Sequence, residues 1–215
     1  SNTCNATCVT CNSHASSAWA ALERKNNIVP SDTWRIQYDA FKHKLDYPNL
    51  KAVSFRGGEP FLSLTNFDIL EQILNHNNTQ CFVSFVTNGS FDLTDRQKHT
   101  LRRFKKVNFC FSIDGIGPVF EYMRYPLSWT KILDNIGWAR DNNMVDYPAH
   151  FQPTALPENI KSLIPDVAKL LGNHTDRDNQ NYQQFLAKIQ KQDGWKGISI
   201  RDYLPEFAKH LPLDQ

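Results

Sequence analysis

Residues 80–89, QCFVSFVTNG, form an unbroken apolar run that ends in a polar turn. Such a run is typical of a strand buried on both faces of a parallel sheet, and the turn is typical of a loop that leads into a helix. Apolar runs at 51–55 and 107–113 are also followed by a glycine-containing loop and a helical pattern. A repeated order of strand, loop and helix predicts βα units around a parallel sheet. The sequence therefore predicts an α/β fold.

Helices are predicted where apolar residues recur at helical spacing or where a capping residue opens such a pattern. In the first part of the chain these helices lie at 16–27, 31–45, 64–74, 93–104 and 129–142. A weaker strand is predicted at 145–152, and further helices are predicted at 157–171, 182–192 and 201–211. The helices that follow strands complete the βα units.

The composition narrows the classes of protein to be considered. With 215 residues, 40% of them hydrophobic, the chain is long enough for one domain with a substantial core. Its formal net charge of +2 provides no strong field for nucleic acid or an anionic membrane. No apolar run reaches the roughly eighteen residues of a membrane-spanning helix, and no signal segment is recognised. We expect neither a nucleic-acid partner nor a membrane partner.

The five cysteines indicate a reducing compartment rather than a disulfide framework. Their number is odd, and three of them crowd into one short loop. Cys81 and Cys110 lie inside strand-like runs, where they are expected to be small buried hydrophobic residues. Because disulfides are rare in the cytoplasm, this usage predicts a cytoplasmic location.

The first cysteines form a compact motif, here called the cysteine loop (residues 3–11). Cys4, Cys8 and Cys11 follow a CxxxCxxC spacing. Cysteine thiolates ligate iron–sulfur clusters, and three ligands on a four-iron cluster leave one iron open to a small molecule. A structural zinc site is the alternative, because His14 is close enough in the sequence to complete a set of four ligands. The loop alone leaves both interpretations open.

The strand at 51–55 leads into Gly57-Gly58-Glu59-Pro60, here called the GGEP loop. A tight turn would explain both glycines, which tolerate positive φ, but it gives the glutamate no role. A carboxylate on a loop with so few side chains can approach a ligand ammonium closely and form a charge-assisted hydrogen bond. On that interpretation Glu59 binds a ligand, and its replacement by glutamine is expected to leave stability unchanged.

The next two strands also end in polar residues. Thr87 and Asn88 follow the second strand, Ser112 and Asp114 follow the third, and Arg124 comes a few residues later. These residues are explained either by Asx and capped turns with a surface arginine, or by a hydroxyl and a guanidinium that hold a carboxylate. Because parallel α/β sheets bind ligands at the carboxyl ends of their strands, the three strand ends are expected to share one site.

Taken in order, the cysteine loop, the GGEP loop and the two later strand ends resemble the radical S-adenosylmethionine (radical SAM) superfamily. The order and spacing are most similar to its peptide-modifying branch, whose members usually carry SPASM or shorter twitch extensions. The resemblance covers residues 4 to about 140, and residues 201–207, RDYLPEF, are similar to the tail of twitch-type members. It implies a partial (β/α)6 barrel related to the TIM barrel.

The resemblance also implies a division of the chain. Residues 1–155 would form the radical SAM core, with the cysteine loop and the SAM-binding strands. Residues 156–215 would form a helical remainder of the barrel or a twitch-like tail. Loop sites of this kind normally follow a strand, and here the loop begins almost at residue 1. We therefore expect the first strand of the barrel, and residues near 147–157, to be missing from this chain.

The resemblance assigns a role to each motif. The three cysteines of the loop would bind a [4Fe–4S] cluster, whose open iron is chelated by the methionine part of S-adenosylmethionine (SAM). Glu59 would accept from the SAM amino group, while Ser112 and Arg124 hold its carboxylate and the backbone near Thr10 meets the adenine. No catalytic residue is assigned beyond the cluster and the cofactor. The implied cofactor-binding residues are Thr10, Gly58, Glu59, Thr87, Asn88, Ser112, Asp114 and Arg124.

Two departures from the family pattern bear on these expectations. The position before the third cysteine is commonly aromatic in the family, so Thr10 would pack less well against adenine. No cysteine follows Cys110, and the auxiliary clusters of SPASM and twitch regions therefore have no ligands here. One cluster per chain is expected.

The resemblance implies an enzyme that cleaves SAM reductively and abstracts a hydrogen from its substrate with the 5′-deoxyadenosyl radical. A peptide is the expected substrate class, and a flavodoxin or ferredoxin is the expected low-potential electron donor. Two other classes fit parts of the sequence: a non-catalytic sensor that binds the cluster, and a zinc-binding interaction module. The zinc module leaves the GGEP loop and Arg124 without a role.

Overall fold

The structure, a computed structural model, describes residues 2–30, 42–145 and 180–208. The chain divides into two units, Ser1–Asp146 and Tyr147–Gln215. Several predicted features lie outside the described residues: the boundary between residues 155 and 156, the helix at 157–171, most of the helix at 31–45 and nearly all of the strand at 145–152.

A three-stranded parallel sheet forms the centre of the first unit. Its strands, which lie side by side in chain order, are β1 (Ala52–Phe55), β2 (Phe82–Thr87) and β3 (Val107–Phe111). Phe55 lies opposite Phe85, and Phe85 lies opposite Phe109, so the register aligns apolar residues across the sheet. The three predicted strands are confirmed, and the chain is a mixed α/β protein.

Helices alternate with the strands in the first unit: α1 (Ser17–Lys25), α2 (Leu64–Asn75), α3 (Asp95–Arg102), α4 (Pro118–Met123) and α5 (Trp129–Asp141). Short 3-10 turns occupy Lys42–Lys44, Tyr47–Asn49 and Pro60–Leu62. The second unit contains α6 (Gln180–Lys196), α7 (Ile200–Tyr203) and α8 (Pro205–Ala208). The predicted helix at 201–211 is interrupted at Leu204, because Pro205 has no N–H with which to continue α7. Within the described residues, no helix is long and apolar enough to cross a bilayer.

The core of the first unit lies between one face of the sheet and α2. Phe85 is at its centre, with ring centroids 5.0 Å from Phe55, 4.5 Å from Phe61 and 5.5 Å from Phe109. From α2, Leu70 and other fully buried side chains pack against the same face. The aromatic packing fixes the strands relative to the GGEP loop, since Phe61 follows that loop directly.

The opposite face of the sheet carries polar side chains together with the apolar side chains of Phe82 and Val86. Ser54, Ser84 and Asn108 lie next to one another in register, and Cys110 follows on the same face. The prediction for Cys81 is confirmed, since it is fully buried, but the prediction for Cys110 is wrong, since it is exposed. The strand alternation explains this difference, because Cys110 points away from the face that carries the buried Phe109.

Candidate functional site

The carboxyl ends of the three strands meet at one edge of the sheet, as predicted. The N–H of Ser112, just after β3, donates to the carbonyl of Thr87 at the end of β2 at 2.8 Å. The N–H of Asn88 donates to the carboxylate of Glu59, on the loop after β1, at 2.7 Å. The predicted residues of the three strand ends are therefore brought together by direct hydrogen bonds.

The cysteine loop lies against this edge and is fixed on two sides. On one side, the Glu59 N–H donates to the carbonyl of Thr3 at 2.7 Å. On the other, the N–H groups of Thr7 and Val9 donate to the carbonyls of Tyr125 and Met123 at 2.7 and 2.8 Å. The cysteine loop is therefore hydrogen-bonded to the two residues on either side of Arg124.

Three further hydrogen bonds position the cysteine loop, and none of them was predicted from the sequence. The Trp19 indole N–H, on α1, donates to the carbonyl of Cys8 at 2.9 Å. The Asn88 amide donates to the side-chain oxygen of Asn5 at 2.9 Å, and the Asn5 amide donates to Ser90 at 2.8 Å. Asn5 lies inside the CxxxCxxC spacing, but the spacing alone gives no signal for these partners.

Gly58 is required by the close approach of the cysteine loop to the GGEP loop. Its φ is +53°, in the region that favours glycine. A Cβ at this position would lie 2.2 Å from the carbonyl oxygen of Thr3, which is a backbone atom that cannot rotate away. The structure therefore places Gly58 where the loops meet.

Glu59 is almost completely buried, with 1% of its surface exposed. Its Oε1 accepts from the Phe61 N–H at 3.2 Å and from the Thr87 hydroxyl at 2.8 Å, while its Oε2 accepts from the Asn88 N–H at 2.7 Å. The view that a turn gives this glutamate no role is therefore wrong. The carboxylate caps the 3-10 turn Pro60–Leu62 and joins β1 to β2.

Burial also affects the charge of Glu59. Desolvation raises the pKa of its carboxyl above the ordinary value, although the three hydrogen-bond donors and the nearby Arg124 act in the opposite direction. A cation bound beside the carboxylate would further favour the charged form. The site thus contains a buried acidic group for which a ligand ammonium is a suitable partner.

The three thiols of the cysteine loop lie close enough to interact electrostatically in every pair. Cys8 is buried, and Cys4 and Cys11 are partly exposed. Burial is the main cause that raises the pKa of Cys4, and it raises the pKa of Cys8 to about 11. Among the described residues, no group of three or more His, Cys, Asp or Glu side chains is arranged to hold a single metal ion.

Arg124 brings a positive charge to the cysteine loop. One guanidinium nitrogen, Nη2, lies 2.8 Å from Oδ2 of Asp114, and Nη1 lies 3.9 Å from Sγ of Cys8. The side chain is mostly buried, with 14% of its surface exposed. Its Nε is buried and has no hydrogen-bond partner among the described residues. Asp114 and Arg124, each predicted as a cofactor-binding residue, thus form an ion pair beside a predicted metal ligand.

The remaining predicted residues differ in their surroundings. Thr87 and Asn88 are buried and bound to Glu59, whereas Ser112 is half-buried at the end of β3. Thr10 is exposed at the turn closed by the hydrogen bond from the Cys11 N–H to the Cys8 carbonyl. Thr10 therefore lies at the surface of the cysteine loop.

No protein-family model, curated protein or solved structure matches the chain.

The thiols are expected to differ strongly in reactivity. In metal-free protein at pH 8, iodoacetamide should modify the exposed Cys110 much faster than the buried Cys8. The thiolate is the nucleophile, and a pKa of about 11 leaves Cys8 with on the order of a hundredfold less thiolate than an ordinary thiol. Timed quenching followed by peptide mass spectrometry measures both rates. In urea the two rates should converge, and equal rates in the folded protein would contradict the described burial.

Proposed function

We propose that this protein is a radical SAM enzyme whose cluster is held by Cys4, Cys8 and Cys11. One observation carries the proposal: the cysteine loop is hydrogen-bonded both to the GGEP loop and to the residues that flank Arg124. Three thiols, a buried carboxylate and a guanidinium are thereby gathered at the carboxyl ends of parallel strands, where α/β sheets bind ligands.

The chemistry of this donor set fits the two implied cofactors. Thiolates are the usual ligands of iron–sulfur clusters, and the three are close neighbours. The amino-acid part of SAM carries an ammonium and a carboxylate, which match Glu59 and Arg124. The buried Nε of Arg124, which lacks an acceptor among the described residues, supports an anionic ligand at this position.

The residues of the chain have distinct tasks in this proposal. Glu59 accepts from the ligand ammonium, and Thr87 and Asn88 hold the carboxylate in place with their own hydrogen bonds. Arg124 binds the ligand carboxylate, and Asp114 orients its guanidinium through the 2.8 Å ion pair. When bound, the cluster and SAM supply one-electron reductive cleavage of SAM and a 5′-deoxyadenosyl radical.

The wider features of the family form part of the same proposal. The three parallel strands would belong to a partial (β/α)6 barrel, with residues 1–155 as the core and residues 156–215 as its helical remainder. The substrate class is a peptide, and the electron donor is a flavodoxin or a ferredoxin. The parallel strand order is compatible with a barrel, and Ser54, Ser84 and Asn108 are polar residues on the face that would line its interior.

The decisive experiment is anaerobic reconstitution followed by an assay for 5′-deoxyadenosine with SAM and dithionite. We expect about four irons per chain and accumulation of 5′-deoxyadenosine. A variant with all three loop cysteines changed to alanine should lose both the visible absorption and the product. Cys81→Ala is the matched control, since this cysteine is buried in the core and should leave the absorption intact.

The same measurements separate the alternatives. Stoichiometric zinc without a brown chromophore in freshly isolated protein would support the zinc module and overturn the proposal. Four irons with no 5′-deoxyadenosine at any SAM concentration would instead support the non-catalytic sensor.

A further inference from the structure

We propose that Arg124 raises the reduction potential of the cluster through the sulfur of Cys8, in addition to binding the ligand carboxylate. This inference rests on the proposed function, because it concerns the cluster that the cysteine loop would hold. Reduction takes up one electron from the donor and forms or breaks no bond, so the reduced cluster carries one more negative charge. A guanidinium beside one of its sulfur ligands would stabilise that charge. Three observations support the proposal: a backbone register, a side-chain contact and an ion pair.

The first observation is the backbone register between the cysteine loop and the segment that follows α4. The N–H groups of Thr7 and Val9 donate to the carbonyls on either side of Arg124, at 2.7 and 2.8 Å. The earlier donor, Thr7, pairs with the later acceptor, Tyr125, so the two segments run antiparallel. In that register Cys8 lies opposite Arg124. Main-chain hydrogen bonds therefore hold these two residues as neighbours, whichever rotamers their side chains adopt.

The second observation is the side-chain contact that this register produces. Nη1 of Arg124 lies 3.9 Å from Sγ of Cys8, and both side chains are largely buried, so little water screens the interaction. Burial raises the pKa of Cys8 to about 11, and the positive charge of Arg124 acts in the opposite direction by favouring the thiolate. Charge and hydrogen bonds to the sulfurs are among the factors that set iron–sulfur reduction potentials. The contact therefore places a suitable group at a sulfur that would ligate the cluster.

The third observation is that the nitrogens of the guanidinium have separate surroundings. Nη2 lies 2.8 Å from Oδ2 of Asp114 and Nη1 faces the Cys8 sulfur, whereas Nε is buried without a hydrogen-bond partner among the described residues. The ion pair holds the planar fork in place, so a ligand carboxylate can bind at Nε while Nη1 stays beside the sulfur. Asp114 also acts on Cys8 with its own negative charge, against the effect of Arg124. The two members of the ion pair should therefore shift the potential in opposite directions.

The test is a redox titration of reconstituted protein with dithionite, in which EPR spectroscopy measures the reduced fraction of the cluster at matched iron content. SAM is left out, so the carboxylate-binding role of Arg124 does not contribute. Arg124→Gln should make the equilibrium constant for one-electron reduction about tenfold smaller, which corresponds to a potential about 59 mV lower. Arg140→Gln is the control, because it removes the same charge from an exposed position on α5 and should leave the potential unchanged.

Asp114→Asn tests the sign of the effect. Asparagine keeps an acceptor oxygen for Nη2 but removes the negative charge, so the potential should rise. Opposite shifts identify an electrostatic effect, since structural damage has no reason to depend on the sign of the charge removed. Shifts in the same direction, or an unchanged potential in either variant, would overturn the proposal. If Arg124→Gln takes up no cluster, the direction of the shift in Asp114→Asn decides alone. Wild-type protein that takes up no cluster would instead overturn the proposed function, so the two failures are distinguishable.

Discussion

Replacement of Gly58 by alanine is expected to lower the free energy of unfolding by about 3–5 kcal/mol, among the largest effects of a single substitution. The new Cβ would lie 2.2 Å from the Thr3 carbonyl oxygen, and the φ of +53° would add strain. Relief requires the Thr3 carbonyl to move, which breaks its 2.7 Å hydrogen bond from the Glu59 N–H. Urea unfolding of metal-free protein measures the loss.

Gly197→Ala is the control for this prediction. Gly197 follows α6 with a φ of +67°, and a Cβ there would meet no atom within 4 Å. It should cost only about 1–2 kcal/mol, the penalty of a left-handed conformation for a residue with a Cβ. The difference between the two losses of unfolding free energy therefore measures the cost of the close approach between the loops. Equal losses would show that backbone conformation alone makes glycine necessary at residue 58.

A consequence for the thiols follows from the same contact. If the cysteine loop separates from the GGEP loop in Gly58→Ala, water should reach Cys8, which is 8% exposed in the intact structure. Its alkylation at pH 8 should then accelerate toward that of Cys110, because loss of burial removes the main cause that raises the Cys8 pKa. Gly197→Ala should leave this rate unchanged.

The strands could be predicted from the sequence because their signal is local. An unbroken apolar run such as 80–86 carries its own indication of a buried parallel strand, and β2 lies where that run predicts it. Cys110 was assigned wrongly, since a run of apolar residues does not specify which positions face the core. Only the pairing with neighbouring strands separates the buried face of Phe109 from the open face of Cys110.

The residues of the site could be predicted from the sequence, but the contacts between them could not. Strand-end positions identified Glu59, Thr87 and Asn88, because parallel strands present their carboxyl ends on one edge. Two of the three donors to Glu59 lie 28 and 29 residues away, and no local pattern encodes such a distance. The same limit applies to Arg124. Its guanidinium lies 3.9 Å from the Cys8 sulfur, although the two residues are 116 positions apart in the sequence.

Replacement of Glu59 by glutamine is expected to affect both stability and cofactor binding. Glutamine keeps the shape but exchanges one acceptor oxygen for an NH₂ donor. Whichever way the amide is oriented, the Phe61 N–H or the Asn88 N–H faces a donor instead of an acceptor. An unsatisfied buried group costs about 1–3 kcal/mol, so the expectation of unchanged stability that accompanied the ligand-binding interpretation no longer holds. Urea unfolding of metal-free protein measures this cost. Glu71→Gln is the control, and its effect should be small because it changes only a partly exposed ion pair.

The cofactor effect of Glu59→Gln is measured separately, on reconstituted protein of matched iron content. Loss of the charged acceptor for the SAM ammonium removes about 1.5–3 kcal/mol, so SAM affinity should fall about ten- to a hundredfold. Formation of 5′-deoxyadenosine should fall at low SAM and recover in part at high SAM. Thr87→Val separates the two roles, because it removes one donor to the carboxylate but keeps the charge. It should lower stability with a much smaller effect on SAM affinity. If Glu59→Gln and Thr87→Val changed SAM affinity equally, Glu59 would serve only to join β1 to β2, and the ammonium would have to be bound elsewhere.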